Sequence, residues 1–357
     1  MNKTALSFLQ QLVATPTPSG AEHDGQKLVA EYMRRYADTV RRDAYGNTIG
    51  IRNPGAKLRV MLAGHCDEIG LMVQHIDEKG YIYVSAIGGV NVRLLQAERI
   101  VIHGRKGPVA GVFGVQAIHL MTQKERDAGA PKIHELWVDI GAKNRKDAEK
   151  AVALGDVATI DAGWIDLRNG LVACRAFDDR IGAFIVADVL RILARRTINV
   201  ALHAVSTVQE EIGLRGARQA AFGIDPAIGV VAEVGFATDY PGSNEKMIGE
   251  AKLGAGPILR RGPTYHPWVL ERLEAAAKKL NIKIQSQPEA RGAGTDAYAL
   301  QVSRAGIPAG LVSVPTRYMH SPVEVIALKD AEQSARLIAE FVAGLTGRET
   351  FGQPAAG

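Results

Sequence analysis

The chain has 357 residues, 46% of them hydrophobic and 23% charged, enough apolar material for one large domain and a smaller one. A formal net charge of +5, with no Lys/Arg cluster interleaved with aromatics, argues against a nucleic-acid track. No apolar run reaches the roughly 18 residues of a membrane span, and the two cysteines, Cys66 and Cys174, form neither a CxxC pair nor a disulfide framework, which suits a reducing cytoplasm.

The opening "MNKTALSFLQQLVATPTPSG" has apolar residues at helical spacing broken by glutamine, so it lacks the continuous apolar region of a secretory signal. "LSFLQQLV" and "GQKLVAEYMRRYA" read as amphipathic helices, and "LRVMLAGH" (58–65) as a short buried strand closing on a polar residue. From about residue 70 to 165 the character changes. "IGLMVQHID", "YIYVSAIGG", "ERIVIHG", "GPVAGVFGV" and "HELWVDIG" are short β runs punctuated by glycine, with one helix-like "NRKDAEKAVALG". The expectation is an inserted, mostly β domain over 70–165, leaving 1–69 and 166–357 to an α/β domain.

That α/β pattern resumes with "DDRIGAFIVADVLRILARR", a strongly 3.6-periodic helix, and "INVALHAVSTV", an apolar strand of the kind parallel sheets bury on both faces. It continues through "AIGVVAEV" (strand), "PWVLERLEAAAKKL" (helix), "IKIQSQ" (strand), "TDAYALQVSRAG" (helix), "AGLVSVP" (strand) and "KDAEQSARLIAEFVAGL" (helix). The tail "GRETFGQPAAG" reads as disordered.

In open α/β sheets, ligands bind beyond the carboxyl ends of the strands, and this chain repeatedly puts metal-ligand residue types there. "LRVMLAGH" ends in His65, followed by Cys66, Asp67 and Glu68. "NVALHAVSTVQEE" ends in Glu210 and Glu211. Glu233 lies near the end of "AIGVVAEV", and "AGLVSVPTRYMH" leads to His320, while Asp178 and Asp179 open a helix. Each has a plainer reading: a hydrogen-bonded strand-end histidine, a helix-capping aspartate pair, two solvated loop glutamates. Glu233 resists one, because a carboxylate within an apolar run needs a partner or a metal. Together they match a two-metal hydrolase, which needs one carboxylate bridging ions about 3.5 Å apart and one terminal imidazole and carboxylate per ion. His65 and Glu233 would serve one ion and Glu211 and His320 the other, with one aspartate of the Asp178–Asp179 pair as bridge. The remaining carboxylate, Glu210, is then the general base. Asp67, two residues after His65, would hydrogen-bond the free nitrogen of its imidazole.

"AGHCDEIGLMV", "AFDDRIG", "VQEEIGLRGA", "ATDYPG" and "GTDAYALQVSRAGIPAGLVSVPTRYMHSPVEV" resemble, in the same order and over about residues 5–345, the tetrahedral dinuclear metallo-aminopeptidases also labelled glutamyl aminopeptidase or endoglucanase M. The resemblance implies a zinc-peptidase-like mixed-sheet α/β catalytic domain interrupted by a β-rich, barrel-like dimerisation domain. It further implies two Zn²⁺ or Co²⁺ ions per subunit, with Mn²⁺ compatible with the same ligands, peptide substrates, and a tetrahedral dodecamer built from dimers. It places His65, Glu211 and His320 on ligand positions, Glu210 on the base and Asp67 on the support of the first histidine. It favours Asp178 over Asp179 as the bridge, because relatives often carry Asn in the second place. Glu233 departs from the family, where Asp is common. Asp239 in "ATDYPG" is a rival ligand, or else a turn residue before Pro241. "GAGTDAYAL" lies beside the site, or is only a helix start capped by Thr295. Two other classes stand against an aminopeptidase. One is a different hydrolase on the same metal frame, including an amidohydrolase or a glycosidase, although a glycosidase needs two carboxylates flanking a sugar and no such histidine set. The other is a non-catalytic binding or assembly protein.

Overall fold

Strands that are apolar at successive positions require cover on both faces, and the large domain supplies it. In the computed structural model, which describes residues 1–127 and 129–351, the strands in chain order are β1 (Thr39–Arg42), β2 (Thr48–Arg52), β3 (Arg59–His65), β4 (Gly70–Ile76), β5 (Ile82–Ile87), β6 (Arg99–Gly104), β7 (Gly107–Phe113), β8 (Val138–Asp139), β9 (Val157–Ile160), β10 (Ile165–Asp166), β11 (Leu171–Cys174), β12 (Ala201–Thr207), β13 (Ile228–Phe236), β14 (Ile258–Arg261), β15 (Gln285–Pro288), β16 (Ala309–Arg317) and β17 (Glu324–Ala327). An 11-stranded sheet runs β1-β2-β12-β3-β13-β16-β17-β11-β10, with β14 joining β16 and β15 to β14. Its centre, β12-β3-β13-β16, is parallel. β2 and β17 flank it antiparallel.

Alternate residues of each central strand enter different cores. Val60 and Leu62 pack with Leu202, Val230 and the apolar faces of helices Lys3–Ala14, His23–Met33, Phe177–Leu193, Pro267–Leu280 and Leu328–Ala343. Met61, Ala63, Val205 and Val231 pack on the other face with Ala217, Ala220 and Leu300, from helices Arg215–Ile224 and Asp296–Gln301. β4 to β9 close into a separate six-stranded barrel, in the order β4-β5-β8-β7-β6-β9. It has its own core, including Leu71, Ile82, Ile102, Phe113 and Val138. Among the described residues, no helix is long and apolar enough to cross a membrane.

Several local expectations need correction. "NRKDAEKAVALG" forms only the single helical turn Arg145–Ala148, because Asp156 accepts the Ala153 N–H and turns the chain into β9. In "HELWVDIG" only Val138–Asp139 is strand, preceded by a 3₁₀ turn at Ile133–Glu135. "IKIQSQ" begins its strand at Gln285, since the Ile282 N–H still caps the preceding helix on Ala277. The tail is ordered as far as it is described, Phe351 standing edge-on to Trp268 at 4.9 Å; its last six residues, 352–357, lie outside the described residues.

Candidate metal centre

The carboxyl ends of the central strands converge. His65 closes β3 directly beside Thr207 of β12, and Glu210 and Glu211 follow β12 in a turn closed by the N–H groups of Gly213 and Leu214 on the Glu210 carbonyl. Glu233 lies in β13, and His320 in the connection between β16 and β17. Helix Phe177–Leu193 presses its first turn onto these ends through two glycines. A Cβ on Gly64 would lie 2.3 Å from the Gly182 carbonyl carbon, and one on Gly182 would lie 2.2 Å from the Ala232 oxygen. That close approach delivers Asp178 and Asp179.

The two aspartates then divide. Asp179 accepts the N–H of Gly182 at 3.0 Å and of His65 at 3.1 Å, so it ties the helix start to β3. Asp178 faces the imidazoles, with Oδ1 at 3.4 Å from His65 Nε2 and Oδ2 at 3.1 Å from His320 Nε2. One oxygen thus addresses each ring. Around them the ligand atoms of His65, Asp178 and Glu233 gather within 4.8 Å of one another, as do those of Asp178, Glu211 and His320. Glu210 lies outside both groups, its Oε2 at 3.7 Å from His65 Nε2.

Asp67 works differently from the simplest expectation. Its carbonyl oxygen is nearer His65 Nδ1, at 3.1 Å, than its carboxylate, at 3.4 Å. The carboxylate instead accepts the backbone N–H groups of Glu210 (3.0 Å) and Glu211 (3.2 Å) and the Ser19 hydroxyl (2.7 Å). One buried residue, its carbonyl toward the imidazole and its carboxylate on the backbone of Glu210 and Glu211, therefore sets all three together.

The electrostatics of this cluster ask for cations. Burial, reinforced by neighbouring acids, pushes the carboxyl of Glu210 up to about 10 and that of Glu211 to about 7, and raises Glu233 well above its usual range. Burial opposes charge on His65, but Glu210, Asp178 and Asp67 outweigh it and raise its pKa. The hydrogen bond that its ring donates to Asp178 leads the causes that lift His320 to about 10. Two buried oxygens, Glu211 Oε1 and Glu233 Oε2, have no hydrogen-bond partner among the described residues. Imidazole and carboxylate donors with bare oxygens fit Zn²⁺, Co²⁺ or Mn²⁺, and a cation in each group would meet those oxygens.

Glu233, though one methylene longer than aspartate, reaches its group. Asp239 does not: both its oxygens are taken at 2.8 Å by Arg317. Thr295 caps its helix, accepting the Ala297 N–H at 3.3 Å, while lining the cleft beside Glu233. Sequence reasoning missed two acids. Glu324, 2% exposed, accepts the N–H groups of Asp178 and His320, each at 2.9 Å. Asp296, 1% exposed, accepts the Thr207 hydroxyl at 2.6 Å. Glu324, in "PVEVIAL", carried the signal used for Glu233, a carboxylate within an apolar run. Asp296 was absorbed into a helix start.

All seven residues singled out from the sequence come together here, five of them (Asp178, Glu210, Glu211, Glu233 and His320) lining a cleft of about 730 Å³ that also contains Phe236, Arg260 and Glu289. Known proteins share this arrangement of chain. The sequence pattern of the M42 glutamyl aminopeptidases matches residues 46–337. A lysyl aminopeptidase of Pyrococcus furiosus is 36% identical over 332 residues, covering 92% of this chain and 94% of that one. A TET aminopeptidase from the marine sediment archaeon Thaumarchaeota archaeon SCGC AB-539-E09 superposes with a TM-score of 0.91 at 32% identity, covering 96% of this chain and 98% of that one. The Pyrococcus horikoshii TET1 peptidase, which can assemble into a tetrahedron or a large octahedral shell, gives a TM-score of 0.85 at 30% identity, over 96% and 100%.

Proposed function

The chain belongs to the M42 glutamyl aminopeptidase family, and from that premise we propose that it is a dinuclear metal-dependent aminopeptidase removing N-terminal residues from peptides. The observation that carries the reading is the placement of Asp178, one carboxylate oxygen toward each of two imidazoles. On this reading Asp178 would serve both ions, His65 and Glu233 would hold one, and Glu211 and His320 the other. When bound, two Zn²⁺ or Co²⁺ ions, or Mn²⁺ in their place, would acidify a water and polarise the scissile carbonyl.

The chain's own groups do the rest. Glu210, in none of the ligand groups and with its Oε2 at 3.7 Å from His65 Nε2, takes the proton of the attacking water and passes it to the leaving amine. Asp67 keeps Glu210 and Glu211 at fixed heights through their backbone N–H groups. The carboxylate-lined end of the cleft complements a protonated α-amine, which favours a free N-terminus. We further propose residues 1–69 and 166–357 as the catalytic domain, 70–165 as a dimerisation domain, and a tetrahedral dodecamer in the cytoplasm. The test is mass spectrometry of a short peptide incubated with the enzyme, with its amine free and acetylated. Stepwise loss of single residues from the free peptide alone, abolished by chelator, is the expected result. Internal cleavage, or equal cleavage of the acetylated peptide, would overturn the reading.

A further inference from the structure

The two imidazoles are held unequally. His65 ends a central strand, is 1% exposed, and finds both ring supports, the carbonyl and carboxylate of Asp67, two residues away in its own domain. His320 stands in a connection, with φ of 60° and 34% of its side chain exposed. Its backbone N–H is fixed by Glu324, but its ring Nδ1 meets the carbonyl of Gly89 at 3.1 Å, 231 residues away in sequence. Gly89 belongs to the inserted barrel, just past β5.

The fit is close. A Cβ on Gly89 would lie 2.9 Å from His320 Nδ1 and 3.1 Å from its Cε1, and one on the adjoining Gly88 would lie 3.3 Å from the Cβ of Glu211. The loop is itself pinned, the Val90 N–H donating to the Gly88 carbonyl at 3.0 Å and Asn91 capping the turn Val92–Leu94 through the Arg93 N–H at 3.2 Å. A carbonyl only accepts, so Nδ1 donates to it, and Nε2, which faces Asp178 and Glu211, is the nitrogen left for a cation.

We propose that the Gly88–Gly89 loop of the inserted barrel is a positioning element for the cation held by Asp178, Glu211 and His320, with the Gly89 carbonyl setting the tautomer and aim of His320. The barrel is therefore part of the site as well as a unit of association. The inference rests on reading these residues as cation ligands. Losing such an outer partner of a metal-bound imidazole typically weakens metal affinity 10- to 100-fold.

The experiment is calorimetric titration of chelator-stripped protein with Co²⁺. Wild type takes up two ions per chain. Gly89→Ala, whose methyl displaces the imidazole, weakens one step by about 10- to 100-fold and leaves the other within about twofold. His320→Ala loses the same step, and adding Gly89→Ala to it costs nothing further. If circular dichroism shows Gly89→Ala unfolded, Asn91→Ala decides. It frees the turn behind the loop without adding an atom near the ring, and it weakens the same step by a smaller factor. Unchanged affinities, or equal weakening of both steps, would overturn the proposal. A wild type binding fewer than two ions would bring down the reading of the site and this inference with it.

Discussion

In the central sheet, polar side chains at the strand ends are buried and tied to one another: Asp67 to Glu210, Glu211 and Ser19, Asp179 to β3, Glu324 to Asp178 and His320. Behind them lies Arg180, fully buried, which pairs with Glu68 at 2.5 Å and donates to the carbonyls of Leu12 and Val13 that end the first helix. Arg175 also pairs with Glu68. The barrel has the opposite economy, short strands around an apolar core with side chains such as Val112 and Ile118 left at the surface. Its loop at Gly88–Gly89 reaches into the site against His320 and Glu211. The difference teaches where substitutions are expensive, and to what property. In the sheet a single polar change spreads through a shared network, whereas in the barrel an apolar change stays a matter of packing.

The largest expected effect is at the base. Glu210→Gln should retain both cations and lower turnover by roughly 1,000- to 10,000-fold, about 4–5.5 kcal/mol in the barrier. Steady-state kinetics with metal analysis on the same sample checks this, and near wild-type turnover would remove Glu210 from its role. Next is the network behind the site. Glu68→Gln leaves Arg180 a buried charge without its partner, and should cost about 3–5 kcal/mol in denaturant unfolding. The pH dependence has a definite sign. Burial opposes the charge on Glu68, but Arg175 and Arg180 hold its folded pKa below the ordinary 4.5. The wild type's advantage over the variant is therefore full above that value and fades as pH falls through the folded one.

Ile102→Ala, at 0% exposure in the barrel core, should cost about 3 kcal/mol in stability while leaving the cation position of His65 unaltered. A large loss of both cations in that variant would break the contrast between the two regions. The smallest effect is Glu233→Asp. Register with β16 fixes its Cα opposite Ser313, so the shorter side chain draws its carboxylate back from His65 and Asp178. One cation should weaken by about tenfold, about 1.4 kcal/mol, in the Co²⁺ titration. Stronger binding would show that the longer side chain is the poorer ligand here.

Much of this was legible in the sequence because parallel strands buried on both faces read as continuous apolar runs, and a His, Asp or Glu ending such a run has few reasons to be there. Hence β3, β12, β13 and β16 and the site residues at or beyond their carboxyl ends were readable. The strands β1, β2 and β17, outside the parallel centre, were not, being short or mixed in polarity, nor was helix Arg215–Ile224, whose face is built mainly of alanine. Asp67 was assigned to the right neighbour, but its main hydrogen bonds go to backbone N–H groups 143 and 144 residues away, which no spacing rule reports. The Gly89 contact was invisible for the same reason. A carbonyl has no residue type, and only the fold brings it to His320.

The central claim is that two cations, sharing Asp178, act together on a peptide with a free amine. Chelator-stripped protein titrated with Zn²⁺, Co²⁺ or Mn²⁺, while p-nitroaniline release is followed from a panel of aminoacyl-p-nitroanilides and their N-acetylated controls, tests it most directly. Release should reach its plateau only at the second equivalent of metal and be absent from every acetylated control. Full activity at one equivalent or none, or equal release from the acetylated substrates, would contradict it.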